Sequence, residues 1–428
     1  MSAPSETLES ALGAAEGETR ALLERCLAGH ELRWEDAVTL CGVEGASLNA
    51  LARAADAMRA AQAGDLVTYV VNRNINFTNA CVKACRFCAF ARGHRSEEAY
   101  FLGDDEVVRR AVEARDLGAT EVCVQAGLAP GIDGRLYVRL CRAIKAAAPE
   151  LHVHAFSPEE VKYGAGLAGV SIRAYLEELK DAGLGSLPGT SAEVLDDAVR
   201  ARIAPTRITT AEWIDVVRTA HAVGLPTTST LMYGHVETDA ERMRHLDLLR
   251  SIQKETGGFT EFVPLSFGHD ESPMFLKGLV PGCRPGPTES DVIRLFAIAR
   301  LMLGATFRNV QVSWVKEGVE RAELLLACGG NDLGGTLMNE SISTSAGSAH
   351  GQLMTPSALR RVIRSAGRTP AERDTRYNLR RTFAGNDSDE PREALDEIRD
   401  ADAKLGSYAA LTRDGRFRFQ LKRAPRSA

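Results

Sequence analysis

The stretch TEVCVQAGLAPGIDGRLYVRLCRAIKAAAPELHVHAFS, residues 120–157, decides the fold. It opens on a β-branched run ending in Gln125, Ala126 and Gly127, passes through a segment of helical period at 135–147, and returns to an apolar run over 151–157. Strand, helix and strand in that order predict two parallel neighbours joined by a crossover helix. The rhythm continues on both sides, with strands predicted over 66–75, 120–127, 151–157, 184–190, 225–233, 259–267, 309–315 and 323–330. Helices are predicted over 104–118, 135–147, 209–224 and 238–255, with Asp104, Thr209 and Thr238 at N-cap positions. The pattern predicts an α/β fold built as a TIM-like (β/α)8 barrel, whose reactive groups stand at the carboxyl ends of its strands. Residues 1–63 read as an N-terminal helical segment that caps the barrel, 64–378 as the barrel, and 379–428 as an extension. That extension is read as an acidic linker, a surface helix and a small hairpin around Asp414 and Gly415.

Composition narrows the class. The 428 residues are 44% hydrophobic and 25% charged with a net charge of -5, the profile of an enzyme and not of a nucleic-acid binder. The acidic start, MSAPSETLESALGAAEGE, lacks the basic and apolar regions of a signal peptide, and no run approaches the roughly eighteen apolar residues of a membrane span. A cytoplasmic location with no membrane partner is the expectation. Nine cysteines are too sparse for a disulfide scaffold and point to metal, catalysis or packing.

Cys81, Cys85 and Cys88 follow the first predicted strand in the spacing C-x3-C-x2-C, on a loop with Asn76, Thr78 and Asn79. Thiolates suit zinc or iron–sulfur clusters. A structural zinc site takes four protein ligands, whereas a four-iron cluster on three cysteines keeps one iron open. The zinc reading is a knuckle in a non-catalytic interaction protein, with a distant histidine or cysteine as its fourth ligand. The other six cysteines are isolated and read as packing.

With Phe87 before its third cysteine, the triplet resembles the radical S-adenosylmethionine (SAM) superfamily. The resemblance implies one [4Fe-4S] cluster whose open iron binds SAM, and one-electron cleavage to methionine and a 5'-deoxyadenosyl radical. The segments NINFTNACVKACRFCAF, HVHAFSPEEV, GSLPGTSAEVLDD, HAVGLPTTSTLMYGHVET, VPLSF and GGNDLGGTLMNESIS resemble the CofH subunits of FO synthase, from about residue 45 to Asn378. What that implies is joining of the 4-hydroxybenzyl group of L-tyrosine to 5-amino-6-(D-ribitylamino)uracil, with release of 2-iminoacetate, 5'-deoxyadenosine and methionine. It also implies an external electron donor and a CofG partner that closes the deazaflavin ring. Radical enzymes of futalosine-type menaquinone synthesis share the cysteine loop and are the competing family.

Site residues follow from the same resemblance and from position at the predicted strand ends. Cys81, Cys85 and Cys88 are the implied cluster ligands, with Phe87 beside them. Gln125 and Gly127 end the second strand, where relatives bind the methionine amino group, or Gly127 merely ends a strand. Glu193 is assigned to SAM or tyrosine, or alternatively to the first turn of a helix capped by Thr190 or Ser191. His154 contacts substrate or is satisfied within the barrel wall. Tyr233, His235 and Glu237 follow the fifth strand as catalytic candidates, and Ser266 and Asn331 are further strand-end groups for substrate. Glu159 and Glu160 are read as helix first-turn carboxylates, and Asn339, Glu340 and His350 are further site candidates on a segment that also reads as a surface loop.

Overall fold

The computed structural model describes residues 7–386, 390 and 392–421. Its strands are β1 (Leu66–Val70), β2 (Asn72–Ile75), β3 (Glu121–Val124), β4 (His152–Ala155), β5 (Leu184–Ser186), β6 (Thr227–Tyr233), β7 (Phe259–Ser266), β8 (Asp332–Gly335), β9 (Thr369–Arg373) and β10 (Leu379–Thr382). The first expected strand is thus interrupted at Val71. Parallel pairing runs from β2 through β3 and β4 to β5, and Leu187 bridges to Thr227 to carry it on to β6 and β7. Bridges from Phe262 to Val310 and from Gln311 to Asp332 lead to β8, which pairs with β1 and closes the ring. The barrel predicted from the alternation is therefore present.

Two of the predicted strands change. Of 309–315 only the bridges at Val310 and Gln311 remain before a helix begins at Trp314. The run ELLLACGG (323–330) is not a strand: it completes the helix Trp314–Leu325 and its exit turn. Ala322 and Leu325 are buried while Leu324 is 39% exposed, so the apolar run follows a helical period that so short a window does not separate from a strand. The eighth strand is β8, one step later.

The β9–β10 hairpin floors the barrel. β9 pairs parallel with β1 from Leu66 to Tyr69, and β10 returns antiparallel, so the boundary expected between 378 and 379 cuts through this hairpin. Arg373 donates to Asp332 Oδ2 at 2.6 Å and Oδ1 at 3.0 Å, and Tyr377 hydrogen-bonds Glu261. Asp332 opens β8 and Glu261 lies early in β7, so these contacts occupy the end opposite the cysteine loop.

The N-terminal segment is helical as predicted, with helices Leu8–Ala14, Gly17–Leu27, Trp34–Leu40 and Gly45–Ala63. It packs on the outer helices Asp239–Thr256 and Glu289–Leu303, where Arg250 donates to Leu32 O and Arg294 to Val43 O, each at 2.8 Å. Thr209 and Thr238 cap their helices in reciprocal boxes with Glu212 and Glu241, whereas Asp104 is the first helical residue behind Gly103. The expected C-terminal hairpin is replaced by helices Ala401–Leu405 and Tyr408–Arg413 and a 3-10 turn at Gly415–Phe417. Residues 387–389 and 391 of the expected linker, and 422–428, lie outside the described residues. This tail clasps the segment after the third cysteine: Tyr408 Oη donates to Phe90 O at 3.0 Å, Phe101 N to Phe417 O at 2.7 Å, and Phe419 N to Ala99 O at 2.7 Å. Among the described residues no helix is long and apolar enough to cross a membrane.

Candidate active site

One cavity of about 430 Å³ runs through the barrel, from Cys81, Cys85, Phe87 and Cys88 at the mouth to Glu261, Arg373 and Thr375 at the floor. The cysteine loop is held by its polar neighbours. Thr78 Oγ1 donates to Tyr100 O at 2.6 Å, and Asn79 accepts from Tyr100 N at 2.9 Å and donates to Glu98 O at 3.0 Å. The thiols are left to face the cavity. Lys83 N and Leu128 N each point at Cys81 Sγ from 3.4 Å, Ala91 N lies 3.4 Å from Cys88 Sγ, and Arg207 Nη1 lies 3.9 Å from Cys85 Sγ. Burial pushes the Cys85 thiol up to about 12 and raises Cys88. Such thiols ionise when metal replaces the proton. Among the described residues no group of three or more Cys, His, Asp and Glu side chains gathers to hold a single metal ion. Three soft sulfurs ringed by N–H donors, open toward a cavity, fit an iron–sulfur cluster.

The end of β3 supports that loop. Gly127 N donates to Thr78 O at 2.8 Å, and a Cβ on Gly127 would meet Ala80 O at 2.5 Å. Glycine is needed here for backbone approach to the loop entering the triplet. Gln125 lines the cavity and accepts from Thr190 Oγ1 at 2.8 Å. Ala126 N donates to Glu160 Oε1 at 2.9 Å, and Glu160 completes a capping box with Ser157, so the first-turn role read from sequence holds.

Glu193 does not sit in a helix first turn. The following helix, Asp197–Ile203, is capped by Asp196, and Ser191 and Glu193 adopt positive φ of 67° and 41°. Left-handed backbone at two non-glycine residues costs on the order of 1–3 kcal/mol each and is characteristic of functional sites. The turn directs Glu193 at Arg207, 2.7 Å away, and leaves its second oxygen buried without a hydrogen bond. Arg207 also meets Glu159 at 3.4 Å and hydrogen-bonds Ser191 Oγ. Burial opposes its charge, but Glu193 and its other anionic neighbours outweigh that and its pKa is raised.

His154 lines the cavity with Nδ1 2.6 Å from Ser186 Oγ, which also lies 2.7 Å from His152 Nε2; burial lowers its pKa. It is satisfied in the wall and also lines the cavity. Ser266 also lines the cavity, bonded to Tyr233 Oη at 3.0 Å and to Glu317.

The trio after β6 is placed differently from the expectation. Among the described residues lining the cavity, Tyr233, His235 and Glu237 do not appear. Tyr233 is fully buried against Ser266, and His235 Nε2 meets Met232 O at 3.1 Å. Glu237 accepts from Gly234 N at 2.7 Å, His235 N at 2.9 Å and Arg284 at 2.9 Å, so its oxygens brace the loop. Asn331 is likewise corrected. It precedes β8, accepts from Arg300 at 2.7 Å and Val310 N at 2.9 Å, and does not line the cavity, because the eighth strand lies after it.

Sequence reading missed Arg207, Lys316 and Arg373 and left Glu340 among surface-loop candidates, yet all four line the cavity. Lys316 carried the one available signal, a lysine just past a predicted strand end.

Residues 75–249 match the radical SAM superfamily and residues 256–385 the CofH/MqnC C-terminal region. The chain is 48% identical over 359 residues to the 5-amino-6-(D-ribitylamino)uracil--L-tyrosine 4-hydroxyphenyl transferase of Methanothermobacter thermautotrophicus, covering 84% of this chain and 97% of that one. It is 49% identical over 346 residues to the FO synthase of Mycobacterium leprae, covering 81% of this chain and 40% of that longer one. Among solved structures, methylornithine synthase (PylB) superposes with a TM-score of 0.64 at 17% identity, over 82% of this chain and 97% of that one. The [FeFe]-hydrogenase maturase HydG from Carboxydothermus hydrogenoformans gives 0.65 at 15% identity, over 84% and 80%. Those two likenesses speak for the fold alone.

Proposed function

The chain belongs to the 5-amino-6-(D-ribitylamino)uracil--L-tyrosine 4-hydroxyphenyl transferases of the radical SAM superfamily, and from that premise we infer the work of its cavity. It joins the 4-hydroxybenzyl group of L-tyrosine to 5-amino-6-(D-ribitylamino)uracil in FO synthesis, releasing 2-iminoacetate. The observation that carries this reading is three thiols at the mouth of a cavity whose largely apolar wall also carries Gln125, His154, Glu193, Arg207, Ser266 and Lys316.

Cys81, Cys85 and Cys88 would hold a [4Fe-4S] cluster and leave one iron for S-adenosylmethionine. Together those two groups supply one-electron chemistry that generates an organic radical. Arg207 offers a guanidinium beside Cys85 for the carboxylate of S-adenosylmethionine, and Glu193 offers its free oxygen to a donor such as the ammonium or ribose. Phe87, Gln125 and Gly127 shape the surrounding wall. His154 and Ser266 supply polar contacts for the phenol, pyrimidine and ribityl chain. Tyr233, His235 and Glu237 fix the loop behind Ser266, and Asn331 fixes the entry to β8. An external reductant must deliver the electron, and a CofG partner would close the ring, in keeping with the greater length of the FO synthases. A cytoplasmic location fits a cluster that needs reducing surroundings.

Anaerobically reconstituted protein given a reductant, S-adenosylmethionine, tyrosine and the diaminouracil should form 2-iminoacetate and the adduct. Cys85→Ala should stay folded while losing both cluster and turnover. Turnover of a futalosine-type substrate in place of tyrosine would overturn the assignment, and a colourless protein with one zinc and no sulfide would remove the radical reading.

A further inference from the structure

Among the described residues, the cations lining the cavity are Lys83, Arg207, Lys316 and Arg373. Three already have protein partners. Lys83 Nζ donates to Thr206 O at 2.6 Å and pairs with Glu159 at 3.0 Å, Arg207 is held by Glu193 and Glu159, and Arg373 is held at two points by Asp332. The Lys316 ammonium has neither a hydrogen bond nor an ion pair among the described residues.

Its backbone is fixed nonetheless. Lys316 lies in the first turn of the helix Trp314–Leu325, at the carboxyl end of the barrel. Trp314 Nε1 donates to Gly335 O at 2.8 Å, and Ser348 Oγ donates to Val315 O at 2.5 Å. Two residues on, Gly318 breaks the helix with φ +75°. The acidic groups whose field Lys316 feels, Glu340 and Glu317, already serve other donors: Glu340 takes Ser343 N and Asn74, and Glu317 takes Ser266 and Arg321. Burial lowers the Lys316 pKa, as it does for an ammonium awaiting a counterion.

We propose that Lys316 binds the α-carboxylate of the amino-acid substrate. This rests on tyrosine being that substrate, as inferred above. Of the three molecules the reaction brings together, S-adenosylmethionine and tyrosine each carry a carboxylate and the ribitylaminouracil carries none. Arg207 stands 3.9 Å from Cys85 Sγ, where the carboxylate nearest a cluster would lie. Arg207 serves that carboxylate while paired with Glu193 and Glu159; the second carboxylate needs a second cation, and among the described residues lining the cavity Lys316 is the one without a protein partner. A charge-assisted hydrogen bond at that carboxylate also explains how the site would select tyrosine over an amine of the same shape.

Lys316→Met should raise the tyrosine KM on the order of 100-fold, the worth of a hydrogen bond between charged groups, and leave the KM values for S-adenosylmethionine and the diaminouracil within a few-fold. In calorimetric titrations, wild-type protein should prefer tyrosine to tyramine and the variant should bind the two alike, with Lys316→Arg restoring part of the preference. Unchanged tyrosine affinity in Lys316→Met, or equal weakening of tyrosine and tyramine, overturns the proposal. Failure of wild-type protein to bind tyrosine at all overturns instead the substrate reading beneath it. Should Lys316→Met fail to fold, wild-type protein decides: tyrosine, but not tyramine, should protect Lys316 from acetylation by an amine-reactive reagent read by mass spectrometry, and equal protection or none refutes the assignment.

Discussion

Glu160 is a buried carboxylate asked to accept hydrogen bonds from Ala126 N, Ser157 N and Ser157 Oγ, and burial nonetheless raises its pKa to about 7. An unfolded glutamate titrates near ~4.3. Between there and about 7 the folded protein keeps a proton that the unfolded chain has released, so this group's contribution to stability falls as pH rises through that window. Glu160→Gln cannot titrate. From pH 4.5 to 8 its stability relative to wild type should improve by about 3 kcal/mol, read from urea unfolding at each pH. Parallel curves for the two proteins would show that Glu160 ionises normally.

How much of the site the sequence discloses depends on how local each role is. The thiols declare themselves because their spacing falls within one loop. Glu193 is visible as a carboxylate near a strand end, but its strained φ and its pairing with Arg207 arise only once the chain has folded. Arg207 sits in TRITT, a segment that reads only as the start of a helix. Tyr233, His235 and Glu237 follow a strand end as catalytic groups do, and the difference lies in which way the loop turns, where Glu237 meets three donors of its own neighbourhood.

Among the elements, the β9–β10 hairpin was the least legible. Its sequence, TPAERDTRYNLRRT, is highly charged and no strand is predicted in it, yet Glu372 and Arg373 are both buried. The charge is accommodated because Arg373 meets Asp332 inside the barrel floor, a pairing across 41 residues that no sequence window contains. Arg373→Ala leaves Asp332 buried without its cation and should cost about 3–5 kcal/mol in urea unfolding. A loss under about 1 kcal/mol would mean the floor relaxes or admits water. The parallel strands, by contrast, were legible because both their faces are buried and their apolar runs are bounded by turns. The miss at 323–330 marks the limit of that signal, since a helix ending in two leucines with a third at its C-cap shows the same short run.

At the scale of the whole molecule, the tail and the cysteine loop stabilise each other. The Tyr408 ring packs 5.4 Å from that of Phe90, and its hydroxyl joins Phe90 O to Asn79, so the clasp bears on the residues directly flanking the triplet. Tyr408→Ala should lose its visible cluster absorbance several-fold faster in air, while the unfolding midpoint by far-ultraviolet circular dichroism scarcely moves, because local opening is governed by local contacts. Equal rates of bleaching would show that the tail does not guard the loop.

The clasp also sets an order of events during synthesis. Phe90 and Phe101 leave the ribosome some three hundred residues before the partners that hold them, Tyr408 and Phe417. At a few residues per second to about twenty, that interval lasts on the order of a minute or less. Throughout it the loop lacks the hydrogen bonds and ring contact that later clasp its flanks. The nascent chain therefore leaves the flanks of the thiol loop without these contacts until Tyr408 and Phe417 have emerged.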